Sequence, residues 1–154
     1  FAPLWMLFVA CVGSSAGSTG GGIKMIRALV LLKQTRRELN RLVHPRAIAP
    51  LVINGHVVEN RIIFAVLGYM LLWGVTHIVL TFVMLATGLD FMSAFSVVVA
   101  AVNNLGPALG QFGPTGNYAP LSDFQTWLLA IAMVAGRLEL LTFYVVLMPA
   151  FWRR

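Results

Sequence analysis

The stretch FMSAFSVVVAAVNNLGPALG, Phe91 to Gly110, decides how this chain folds. Phe91 to Val102 is apolar but only 12 residues long, where a helix crossing a bilayer needs about 20. A run of that length enters a membrane and turns back. It leads directly into Asn103-Asn104-Leu105-Gly106-Pro107-Ala108-Leu109-Gly110. Such polar, helix-breaking sequence at membrane depth is tolerated only where protein buries it or where it lines a watery cavity. A short helix returning as extended backbone is one way to present carbonyl oxygens to a dehydrated cation. Gly106 frees the backbone for conformations closed to other residues. Pro107 stiffens the return, and Asn103 and Asn104 offer side-chain bracing. No carboxylate lies in this loop, so a cation held there meets backbone oxygens, which suits a monovalent ion. The plain alternative, that Asn103 to Pro107 merely turns the chain between two spans, is equally compatible with these residues alone.

The whole chain agrees with a membrane setting. Hydrophobic residues make up 59% and charged residues 10%, against roughly 25% charged in soluble domains. The sequence starts Phe1-Ala2-Pro3-Leu4-Trp5, without an initiator Met and already apolar, which is expected of a piece of something longer rather than of a signal peptide. The net charge of +6 flanks the apolar runs and carries no interleaved aromatics, which argues against nucleic acid. One cysteine, Cys11, excludes an intrachain disulfide. His44, His56 and His77 lack ligand spacing and are expected to be solvated or packed.

Outward from the central stretch, Arg61 to Thr87 is long enough to span, and Gly88 ends it. On the other side Asp123 is the expected N-cap of a last span running to about Trp152. The expected architecture is therefore all-α and integral to the membrane: helix (61–87), re-entrant pore helix (91–102), filter-like loop (103–110) and helix (123–152). A broken transmembrane helix over 1–42 precedes it, with a linker over 43–60. His44-Pro45 ends the broken helix, and Asn54-Gly55 signals a small hairpin. Six Lys or Arg lie between Lys33 and Arg61 and none between Gly88 and Thr126. The linker is thus expected on the cytoplasmic side and 88–122 on the outside.

The break in the first helix is GSSAGSTGGG, Gly13 to Gly22, with five glycines and four hydroxyl residues. It fails as a phosphate loop, because its spacing to Lys24 is one residue off and Met25 replaces Ser or Thr. Two small-xxx-small pairs, Gly13/Gly17 and Gly17/Gly21, suit close helix packing. Yet glycine costs about 1 kcal/mol in a helix interior, so an unwound intramembrane segment is the better expectation. Arg137, midway along the last span, is its candidate partner. Arg137 and Glu139 lie about 200° apart around a helix and must each find partners elsewhere. Arg137 is open to two readings: the free carbonyls and hydroxyls of Gly13 to Gly22 satisfy it, or it ties two helices together. No nucleophile–base or metal constellation lies in the membrane segments, so no enzyme is expected.

The segments AGSTGGGIKMIR (Ala16 to Arg27), KQTRRELNRLVHPRA (Lys33 to Ala47), NNLGPALG (Asn103 to Gly110) and GRLELLTFYVVLMPAFWR (Gly136 to Arg153) resemble, in this order, the Trk/Ktr/HKT superfamily of potassium transporters. The likeness is nearest to the TrkH/TrkG membrane-subunit family of bacterial Trk systems. That resemblance implies four helix–pore helix–helix repeats around one pore, with 1–42 closing the third repeat and 61–154 forming the fourth. It implies a filter at Asn103, Asn104, Leu105, Gly106 and Pro107, with potassium at Asn104, Leu105 and Gly106. It implies a gating loop containing Gly13, Gly17, Ser18, Thr19, Gly20, Gly21 and Gly22, with Arg137 below the filter, opposing potassium or contacting that loop. Also implied are potassium uptake at the bacterial inner membrane, a multi-pass homodimer without organic cofactor, and a cytoplasmic TrkA-type nucleotide-binding regulatory subunit. The loop QFGPTGNYAP, Gln111 to Pro120, is a departure, richer in small residues than the family leads one to expect. An alternating-access secondary transporter is the competing function, since such proteins also use broken helices near the midplane.

Overall fold

The computed structural model describes Trp5, Phe8, Val9, Cys11 and residues 23–45 and 50–153. Its helices are α1 (Met25–Val43), α2 (Asn60–Ala86), α3 (Phe91–Asn103), α4 (Asp123–Arg137), α5 (Leu140–Leu147) and α6 (Pro149–Trp152). A two-stranded hairpin, β1 (Val52–Ile53) and β2 (His56–Val57), fills the linker between α1 and α2. Its turn residues Asn54 and Gly55 have φ of 51° and 82°, the positive pair that a type I′ turn requires. The helix before it stops at Val43 as His44-Pro45 predicts.

At 1.5 Å per residue, α2 is about 40 Å long and α3 about 20 Å. Among the described residues, only α2 is, as a single helix, long and apolar enough to cross a bilayer. It ends where Gly88 takes φ 94°. Asp90 then caps α3 by accepting the Ser93 N–H at 3.1 Å. The exposed Asp90 carboxyl is held below its ordinary range by the Ser93 side chain and then by the Ser93 N–H.

α3 packs between α2 and α4. Ala94, Val97, Val98, Ala100, Ala101 and Val102 form the centre of the main core. Around them lie Tyr69 and Met84 of α2, Leu129, Ala132 and Ala135 of α4, Leu140 of α5, and Phe112 of the loop. Small side chains on α3 let its neighbours approach closely, which is how membrane helices gain packing energy where lipid offers no hydrophobic drive. A second, smaller cluster of Val30, Leu51, Ile63 and Val66 fastens α1 and the hairpin to the start of α2.

The last span differs from expectation in two respects. Ser122, not Asp123, is the N-cap: its side chain accepts from the Gln125 N–H and the Gln125 side chain accepts from the Ser122 N–H, a complete capping box. The expected single helix to Trp152 is instead broken after Arg137. α4 and α5 meet at a 110° bend across Leu138 and Glu139. Glu139 has φ 63°, a costly conformation for a residue with a Cβ. The bent α5 is tied back to α2 by a 3.1 Å hydrogen bond between the Thr76 and Tyr144 hydroxyls.

Candidate functional site

The site begins where α3 ends. The Leu105 N–H donates to Ala100 O at 2.9 Å and the Asn104 N–H to Ala101 O at 3.1 Å, the two bonds of a Schellman motif. Asn104 occupies the left-handed position, at φ 55° and ψ 43°. Asparagine tolerates that region better than most residues, so the second asparagine of the pair is what turns the chain out of the helix.

The first asparagine does something else. Asn103 belongs to α3 rather than to the loop, is 3% exposed, and folds its amide back to donate to Val99 O at 2.8 Å. The expected filter segment 103–107 therefore loses its first member to the helix. The Asn103 amide also reaches the Cys11 Sγ at 3.5 Å, which ties Cys11 to the end of α3. Asn104 braces the turn from the other side by donating to Met133 O at 3.3 Å.

Gly106 has φ 93°, with open space where a Cβ would stand. Its requirement for glycine is conformational, not steric. The Gly106 carbonyl accepts the Tyr118 hydroxyl at 2.6 Å, which leaves it one lone pair. Tyr118 stacks on Phe112 at 5.5 Å between ring centroids, and Phe112 is 1% exposed in the core. The return strand is pinned further by the Ala108 N–H to Phe112 O at 3.0 Å and by Leu109 N–H to the buried Ser96 hydroxyl at 3.1 Å. The loop Gln111 to Pro120 is thus a buttress for the turn at Gly106.

The other wall of the turn is Gly136. A Cβ built there would stand 1.9 Å from the Val102 carbonyl oxygen and 3.0 Å from the Asn104 amide nitrogen. Only glycine lets α4 lie this close to the end of α3. One residue later comes Arg137, exposed on the last turn of α4. Its expected partner, the segment Gly13 to Gly22 with Gly13, Gly17, Ser18, Thr19, Gly20, Gly21 and Gly22, lies outside the described residues.

Glu139 finds the partners that helical spacing denied it. Its carboxylate accepts a hydrogen bond from Lys24 Nζ and lies 3.4 Å from a guanidinium nitrogen of Arg27. The Arg27 guanidinium in turn sits 3.9 Å above the ring of Tyr69, a cation–π distance. Lys24, Arg27, Tyr69 and Glu139 therefore join α1, α2 and the bend of the last span. No group of three or more metal-ligating side chains occurs among the described residues.

Residues 2–153 match the family model described as TrkH, cation transport protein. The chain belongs to the TrkH family. It is 42% identical over 153 residues to the Trk system potassium uptake protein TrkH of Vibrio parahaemolyticus, covering 99% of this chain and 31% of that protein. The corresponding protein of Escherichia coli K12 is 43% identical over the same coverage. TrkG of Escherichia coli K12 is 34% identical over 97% of this chain and 30% of that protein. The crystal structure of the potassium transporter TrkH from Vibrio parahaemolyticus superimposes with a TM-score of 0.89 at 42% identity, over 98% of this chain and 32% of that one. The chain thus spans about a third of the length of the relatives it matches. As a member of the TrkH family it is an all-α protein of the bacterial inner membrane.

Sequence reasoning left three residues of the site without their contacts. Tyr118 carried only the signal of an aromatic in a loop of small residues. Gly136 read as one more glycine of an apolar helix. Glu139 was marked as needing a partner, but nothing local named Lys24 and Arg27.

Proposed function

We propose that this chain is part of the ion-conducting subunit of a bacterial Trk-type system and carries potassium inward across the inner membrane. The observation that carries the reading is the turn at Asn104 to Gly106, formed at the end of a short buried helix in a chain whose relatives are named potassium uptake proteins. The partly negative C-terminal end of α3 favours a cation there, and backbone carbonyls of Asn104, Leu105 and Gly106 replace its hydration shell. Gly106, and with it Pro107, sets the path of those carbonyls, while Tyr118 and Asn104 hold the turn. In the assembled protein, a homodimer, the other repeats complete the ring. The linker carrying α1's basic end faces the cytoplasm, within reach of a TrkA-type nucleotide-binding subunit. Gly106→Ser, which forces a Cβ onto φ 93°, lowers the preference for potassium over sodium. Relative sodium and potassium uptake by well-expressed mutant in a potassium-uptake-deficient bacterium checks this, and an unchanged ratio rejects the filter.

The gate is the segment Gly13 to Gly22, leading directly into α1. Arg137 favours its closed form by placing positive charge on the ion path. Arg137→Ala therefore raises potassium flux through proteoliposomes holding the membrane subunit alone, several-fold over wild type. Equal flux assigns Arg137 to helix packing.

A further inference from the structure

An open cavity of about 400 Å³ lies around the start of α2. It is lined by Arg27 of α1, by Glu59, Arg61, Ile62, Ala65, Val66 and Tyr69 around the start of α2, and by Leu141 of α5. We propose that this cavity binds the phosphodiester headgroup of an anionic glycerophospholipid at the basic end of the bundle.

Three observations converge on that ligand. The first is depth. Arg61 is the second residue of α2, and the apolar run of the one long span starts at Ile62. A group held by Arg61 therefore lies where hydrocarbon gives way to headgroups. The second is charge. Lys24, Arg27 and Arg61 are three cations, and Glu59 and Glu139 are two carboxylates, so the cavity and the ion pair on its wall carry one uncompensated positive charge (3 − 2 = 1). Glu139 is already shared between Lys24 and Arg27. One phosphodiester, a single negative charge rich in acceptors, balances the set, and arginine's planar fork matches it. The third is shape. The cavity is polar at Glu59 and Arg61 and apolar along Ile62, Ala65, Val66 and Leu141. Its volume suits a headgroup and the first carbons below it, and Ile62 at its edge is 50% exposed. Basic pockets between helices on the cytoplasmic side are a general form of such sites.

Occupation has a structural consequence. The cavity touches α1, α2 and α5 together, so a headgroup there braces the bend at Glu139 through Arg27. The test is native mass spectrometry of the purified protein titrated with phosphatidylglycerol in detergent, with phosphatidylcholine as the neutral control. One phosphatidylglycerol per protomer is expected to bind in preference to phosphatidylcholine. Arg61→Gln weakens that binding about fivefold, the change expected for one basic residue facing an anionic headgroup. Leu141→Trp, which fills the cavity without altering charge, removes it. Equal phosphatidylglycerol binding by wild type and both folded variants overturns the proposal. So does inorganic phosphate, at the same concentration, displacing the lipid, because the site then recognises a free anion. A variant that loses its dimer while keeping its lipid also overturns it, assigning Arg61 to a protein interface.

Discussion

α2 and α3 are both apolar helices lying side by side, yet one is largely exposed and the other largely buried. Ten of the 13 residues of α3 are buried by protein, against seven of the 27 in α2. Along α2, Phe64, Leu71 and Phe82 are about 70% exposed; along the middle of α3, from Ser96 to Asn103, the exposure is 3% or less throughout. The long helix leaves most of its apolar surface exposed, and the short one is covered by its neighbours. The difference follows from length. A 27-residue helix satisfies its backbone internally across the whole hydrocarbon layer, so its ends reach water. A 13-residue helix is too short for that, and its last carbonyls and the turn that follows need neighbours to hold them. Packing around α3 supplies those neighbours.

Gly136 gives the largest effect with which to break this comparison. Because α4 touches the Val102 carbonyl directly there, Gly136→Val forces the helices apart at the end of α3. Folded yield in detergent, followed by size-exclusion profile, is expected to collapse, with potassium uptake lost. The same substitution at Gly68 or Gly74 of α2, where a Cβ meets nothing within 4 Å, leaves both near wild type. Comparable losses at all three positions would erase the distinction between the two helices.

A pair of phenylalanines sharpens it. Phe112 is 1% exposed beneath the turn and Phe82 is 67% exposed on α2. Phe112→Ala leaves a cavity and unseats Tyr118, a loss of about 3–5 kcal/mol. Phe82→Ala changes stability by less than about 0.5 kcal/mol, since that side chain makes few contacts with the protein. Denaturation midpoints of the two variants in the same detergent measure the gap.

The comparison also explains which parts were legible in the sequence. α2, α3 and the turn between Asn103 and Gly110 could be read because run length, glycine and asparagine are local signals with local causes. The two asparagines read alike and act differently: Asn103 stays in the helix and Asn104 leaves it, a division set by the Schellman bonds rather than by residue type. The bend of the last span had no local signal, for Leu138 to Leu147 continues an apolar pattern without glycine or proline. Its energetic partner lies 115 residues away at Lys24. A conformation at φ 63° for Glu139 is held by that ion pair and by Arg27, and no window of sequence contains both halves. Tyr118 likewise reaches Gly106 across 12 residues of loop.

The smallest effect lies at the start of α3, where protein burial gives way to water. Asp90 is exposed, and its contribution is electrostatic and local: its carboxylate accepts the Ser93 N–H and faces the positive end of the helix. Hydrogen bonding to the charged form lowers its pKa below the ordinary 3.8. A lowered folded-state pKa means that the stabilisation is fully present above 3.8 and fades as pH falls through the lower folded value. Asparagine caps about as well as aspartate but does not titrate there. Asp90→Asn should therefore match wild type at neutral pH and lose less stability than wild type on acidification below the ordinary carboxylate range. Asp90→Ala should be the least stable of the three at neutral pH and draw level with wild type in acid. Thermal midpoints of the three proteins at neutral pH and at pH about 3 decide it. If wild type and Asp90→Asn fall in parallel, the acid sensitivity belongs to other carboxylates and the α3 cap works by hydrogen-bond geometry alone.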